Sequence, residues 1–180
     1  MKNELDVLQD VSSRLLRLRI PFMLTGSMAM YLYSSPRMTR DIDLVIEMKA
    51  GDVSRFVTEF ETDYYVFPED ISAAVGTQRM FNIIHRESVI KVDCIVRRNE
   101  AHDVEQFARR KELTIRNFQT FVISKEDLIL AKLLWSRQSH SEIQVRDIRA
   151  LMQSGYDNAY VIDWAKKLGL DEWLEACSHE

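Results

Sequence analysis

The run DIDLVI at residues 41–46 constrains this chain more than any other stretch. Ile42, Leu44, Val45 and Ile46 read as a buried β-strand, yet Asp41 and Asp43 stand at its start, two residues apart. Side chains at i and i+2 of a strand share a face, so both carboxylates project together while Ile42 and Leu44 face the other way. Two like charges held side by side push one carboxyl pKa upward, unless a divalent cation takes both ionised oxygens as ligands. Magnesium suits such a place because it accepts a few carboxylates and keeps waters and substrate phosphates in its other positions. Asp-x-Asp is also common as solvated charge at a strand edge, so the reading depends on its surroundings.

Those surroundings add a third carboxylate. FNIIHRESVIKVDCIV, residues 81–96, reads as two β-rich runs joined near Glu87-Ser88, an antiparallel hairpin whose second strand is interrupted by Asp93. A buried, unpaired carboxylate there would cost several kcal/mol. If that strand neighbours the Asp41 strand, the three carboxylates converge and could hold one or two cations. Such an arrangement activates an attacking hydroxyl and stabilises departing pyrophosphate. Upstream, the apolar run Phe22 to Thr25 stops at Gly26-Ser27 before a helix-like segment, Met28 to Leu32. Glycine at such a turn lets backbone approach a ligand, and the free N–H groups of a following helix favour an anion. Any tight turn into a helix could use Gly-Ser, so its position matters more than its identity.

Elsewhere, Leu5, Leu8, Val11, Leu15 and Leu18 recur at helical spacing after Asn3, and Val53, Phe56, Val57 and Phe60 mark another core-facing helix. Residues 101–111 look helical and 113–123 extended. From Ser124 the chain turns helical throughout, opening on a Ser-x-x-Asp cap and with stops at Gly155 and Gly169. The expectation is an α/β (α+β) core over residues 1–122 and a helical extension over 123–180. Within the extension, Lys132 emerges from the apolar helix LILAKLLW, where it could meet a triphosphate or a carboxylate or snorkel to solvent. Asp147 would pair with Lys132 or Arg149 and brace the helices. Trp135, Trp164 and Trp173 read as packing aromatics.

At 180 residues with 46% hydrophobic content, the chain can bury a substantial core. Its formal charge of -4, from mixed acidic and basic residues, argues against a general attraction to nucleic acid. Arg97-Arg98 and Arg109-Arg110-Lys111 are local clusters that could guide an RNA acceptor, although such runs are usually solvated surface. Cys94 and Cys177 have no metal or redox spacing, and the four histidines, His85, His102, His140 and His179, neither pair as ligands nor sit beside a nucleophile. No stretch approaches the roughly 18 apolar residues of a membrane span, so a cytoplasmic protein is expected. Arg37 and Arg40 flank the Asp-x-Asp entrance and could fork onto phosphate or stay solvated.

The order of hydrophobic strand, Gly-Ser, helix, Asp-x-Asp strand and later Asp resembles the nucleotidyltransferase fold of the DNA polymerase β superfamily. LTGSMAMYLYSSPRMTRDIDLVIE with ISKEDLILAKLLWSRQSHSEIQVRDIRALM is similar to bacterial nucleotidyltransferase-like proteins related to the AbiEii toxin group, over most of residues 20–152. The resemblance implies a mixed sheet flanked by helices, with Gly26 and Ser27 at the NTP phosphates and Asp41, Asp43 and Asp93 at magnesium or manganese. It assigns Asp93 to metal or to activation of the acceptor hydroxyl, and the lysine that related proteins carry in this helix strengthens Lys132 as a contact for a triphosphate or a carboxylate. The implied reaction moves an NMP from an NTP to a hydroxyl of an unidentified acceptor, which could be a tRNA, a protein side chain or a small molecule. Met28 departs from relatives that carry a hydroxyl there. The alternatives are a silent binding or regulatory module, such as half of a toxin–antitoxin pair, and a metal-dependent phosphohydrolase.

Overall fold

In the computed structural model, residues 2–34, 39–139 and 141–178 are described. Arg37, His140 and His179 lie outside them. The first helix, α1 (Glu4–Leu18), starts on a reciprocal cap: Asp6 N–H donates to Asn3 Oδ1, and Asn3 N–H to Asp6 Oδ2, both at 3.0 Å. Its stripe of Val7, Leu8, Val11 and Leu15 is fully buried. The helix stops at Arg19, which takes the left-handed conformation (φ 55°) ahead of Pro21.

The chain then forms β1 (Phe22–Thr25), a four-residue helix α2 (Gly26–Ala29) running into a 3₁₀ turn, β2 (Ile42–Ile46), α3 (Val53–Phe60), β3 (Tyr64–Tyr65) and α4 (Pro68–Thr77). The expected hairpin follows as β4 (Met80–His85) and β5 (Lys91–Val96), then α5 (Ala101–Ala108). Residues 113–123 were expected to be extended, and most of them are, in a second hairpin of β6 (Lys111–Ile115) and β7 (Phe118–Val122), turned at Arg116, whose φ is 52°. The helix before it ends three residues short of the expected boundary because Lys111 already pairs with Val122. Four helices complete the chain: α6 (Lys125–Ser139), α7 (Glu142–Met152), α8 (Asn158–Lys167) and α9 (Asp171–Ser178).

The sheet order is β3-β4-β5-β2-β1-β7-β6. At its centre β2 runs parallel to β5 and antiparallel to β1. Ile42, Leu44 and Ile46 of β2 share a face with Val92, Cys94 and Val96 of β5, and all six are buried. On this apolar side α1 packs on β7 and α3, and α4 on β4. The opposite face carries Asp43, Val45, Asp93 and Ile95.

The last helices are tied to the sheet by buried polar groups. Asp127, fully buried, takes bonds from Arg109 Nε (3.2 Å) and Tyr160 Oη (2.8 Å) and shares one with Ser124 Oγ (2.5 Å), while Tyr33 Oη donates to Ile123 O (2.7 Å). Arg109 therefore serves as a brace, not as free basic surface, and its guanidinium lies 3.9 Å over the Tyr160 ring. Arg97 likewise donates to Glu47 and Arg98 to Asp103, so these arginines have acidic partners within the chain. Trp173 and Trp164 pack against the core as expected, whereas Trp135 is exposed.

Candidate active site

Strand register brings the separated carboxylates together. Asp43 of β2 pairs with Thr25 of β1 on one side and with Asp93 of β5 on the other. Asp43 and Asp93 therefore sit on adjacent strands at the same level, on the face away from the core helices. Asp41 lies one step before β2, exposed at the mouth.

Gly26 shapes the floor. Its φ is +65°, and a Cβ there would come within 2.0 Å of Asp43 Oδ2. The carboxylate is thus seated directly against the main chain of the turn, which only glycine permits. Ser27 is buried. Gly26 and Ser27 open the short helix α2, which continues as a 3₁₀ turn over Met30–Leu32, so the expected helical segment Met28 to Leu32 is present.

Charge is crowded here. Burial, then Asp93, then Asp41 push the Asp43 carboxyl up to about 6, and Lys91 and Lys132 oppose the shift. Asp93 is buried: its Oδ2 accepts from Lys91 Nζ at 2.9 Å, and its Oδ1 has no hydrogen-bond partner. Lys91 Nζ also stands 3.9 Å from Asp41 Oδ1, and Asp93 chiefly, with Asp41 and Asp43, holds the ammonium above the usual lysine value.

Lys132 reaches this region from α6. It is almost wholly buried and donates to Asp147 Oδ2 (2.7 Å) and Gln144 Oε1 (3.0 Å) of α7, so the expected Lys132–Asp147 pair is present. Arg40 is exposed beside Asp41. Lys91 and Asn82 were missed in the sequence. Asn82 pairs with Asp93 across β4 and is exposed on the same face. Lys91 was legible by the i, i+2 rule already applied to Asp41 and Asp43, since it precedes Asp93 by two residues.

A groove of about 350 Å³ runs along the same face from Thr25 over Val45 and Ile95, bounded by Gln106 of α5 and by Ala131 and Leu134 of α6. A more apolar cavity of about 440 Å³ among Leu5, Leu8, Leu24, Met28 and Tyr31 includes none of the three carboxylates. Among the described residues no three acidic, His or Cys side chains are already gathered in metal-ligand geometry. The donor set nevertheless fits a divalent cation, because Asp93 keeps an unpartnered buried oxygen and Asp43 is made costly to ionise by its neighbours.

No protein-family model matches the sequence, and no curated protein does. Solved structures do match. An antigenic nucleotidyltransferase-like protein from Paracoccidioides brasiliensis superposes with a TM-score of 0.59 at 18% identity, over 97% of this chain and 91% of that one. The chain has the nucleotidyltransferase fold. Within that fold, the lincosamide antibiotic adenylyltransferase LnuA, bound to lincomycin, gives 0.53 at 15% identity over 83% of this chain and 94% of that one. ANT(2")-Ia in complex with adenylyl-2"-tobramycin gives 0.52 at 12% identity, over 94% and 95%. The nucleotidyltransferase fold expected from the sequence is therefore present, with its mixed sheet and helical C-terminal part.

Proposed function

We propose that this protein is a cytoplasmic, metal-dependent nucleotidyltransferase that moves an NMP from an NTP to a hydroxyl acceptor and releases pyrophosphate. The observation that carries the reading is the register of Asp43 against Asp93, with the Asp43 carboxylate seated against the main chain of Gly26. Asp41, Asp43 and Asp93 would hold Mg²⁺ or Mn²⁺, whose charge stabilises the triphosphate and the leaving pyrophosphate. Asp43, seated on the Gly26 turn, orients the reacting end of the site. The orphan oxygen of Asp93 can take the proton of the acceptor hydroxyl as its oxygen bonds to the α-phosphorus and the bond to the β-phosphate oxygen breaks.

Main-chain groups at Gly26-Ser27 can approach the phosphates, with Arg40 at the mouth and Lys132 behind. The groove over Val45 and Ile95 has room for the remainder of the nucleotide or for the acceptor. LnuA was solved with lincomycin and ANT(2")-Ia with an adenylylated tobramycin, which supports ATP as the first NTP to try and hydroxylated small molecules as acceptors beside tRNA and protein.

The second reading is a silent binding or regulatory protein, such as one half of a toxin–antitoxin pair. The two are separated by incubating the protein with each α-labelled NTP, Mg²⁺ or Mn²⁺, and pools of small hydroxylated compounds, tRNA and protein. Metal-dependent label transfer with pyrophosphate release, lost in Asp43→Asn, is the expected result. Nucleotide binding without transfer under any condition selects the silent reading, and release of inorganic phosphate marks a hydrolase.

A further inference from the structure

The carboxylate cluster already contains a cation. Lys91 opens β5, and its ammonium donates to Asp93 Oδ2 at 2.9 Å while standing 3.9 Å from Asp41 Oδ1. It thus bridges the acidic group of β5 and the acidic group that precedes β2, across the place where the three carboxylates converge. One oxygen of Asp93 is committed to Lys91 and the other is left without a partner. A divalent cation at this place needs the same oxygens, and two cations cannot share them without strong repulsion. The lysine is able to yield, since its side chain is 41% exposed and its flexible stem can swing the ammonium into solvent without moving the strand.

We propose that Lys91 is the counter-ion of the metal-free site and the competitor that a divalent cation displaces from Asp93 and Asp41, so that Lys91 sets how tightly the protein takes metal before nucleotide arrives. This rests on reading the site as a metal and nucleotide site. Binding of metal alone is held weak, and a nucleotide that brings its own phosphate ligands tips the exchange.

The test is calorimetric titration of Mn²⁺ into the full-length protein at neutral pH without nucleotide, for the wild type, Lys91→Met and Lys91→Arg. Removing the charge is expected to tighten Mn²⁺ binding about two- to fivefold, the scale for a partly exposed charge pair, while arginine leaves it near wild type. Equal or weaker binding by Lys91→Met overturns the role of Lys91 alone and leaves the site reading standing. Absence of Mn²⁺ binding in all three proteins, with ATP present or not, overturns both. In the unaltered protein, amine acetylation read by mass spectrometry should label Lys91 severalfold faster once Mn²⁺ is added, and an unchanged rate counts against displacement even if a variant misfolds.

Discussion

Replacing Asp43 by Asn should stabilise the metal-free protein while destroying the site. The carboxyl is carried from an ordinary 3.8 to about 6, first by burial and then by Asp93 and Asp41. Its ionised form in the folded state is therefore disfavoured by about 3 kcal/mol, before any discount for residual solvent screening. The folded protein binds this proton more tightly than the unfolded chain, so stability is full below about pH 4 and is lost as pH rises through about 6. Asparagine carries no charge and escapes that loss. For a chain of this size the difference corresponds to a Tm about 5 to 10 °C higher for Asp43→Asn at neutral pH, closing towards zero near pH 4. The assay is thermal melting of both proteins in chelator across that pH range, repeated with Mg²⁺ and each NTP. The order should reverse with saturating ligand, because nucleotide at about 1,000-fold above Kd adds roughly 4.1 kcal/mol to a protein that can bind it, more than the loss at Asp43. A variant that melts at or below the wild type in chelator at every pH would refute the claim that crowded negative charge, relieved by a cation, defines this site.

Other perturbations isolate other parts. Gly26→Ala should cost about 2 to 4 kcal/mol, from the left-handed backbone and from the clash with Asp43 Oδ2, and the double variant with Asp43→Ala should recover much of it in denaturant melts. Lys132→Met leaves Asp147 buried without its ammonium partner and should cost about 3 to 5 kcal/mol; adding Asp147→Leu should restore most of the stability without restoring any nucleotide-induced shift. Tyr160→Phe removes one bond to the buried Asp127 carboxylate and should lower stability by about 1.5 to 3 kcal/mol in urea unfolding, with NTP binding unaffected.

The legible parts of the fold were those where one local rule decides. The α1 stripe, the Asn3 cap and the β4–β5 hairpin follow from periodicity, capping chemistry and β-propensity, all carried by neighbours in the chain. Failures came where a distant partner decides. Arg109 in a basic run looked like solvated surface, and only the packing of α6 and α8 turns it onto Asp127 and Tyr160. The run 113–123 read as extended, but its turn was not marked, because Arg116-Asn117 carries no glycine, and Arg116 takes the positive φ that folds it back. Tyr64–Tyr65 drew no expectation, since a two-residue strand is defined by its pairing with β4 and not by its own pattern.

The candidate site divides the same way. By itself the sequence determined that Asp43 and Asp93 lie on strands, with Asp41 at the entry to the first, and that Gly26 follows a strand, because side-chain alternation and glycine's conformational freedom are local properties. Only the tertiary structure decided that β2 lies beside β5 with Asp43 level with Asp93, that Gly26 leaves just enough room for the Asp43 carboxylate, and that Lys91 stands among the acids. Strand order and register are set by which apolar faces bury together across the whole sheet, and that is a property of the assembled core that no single stretch carries.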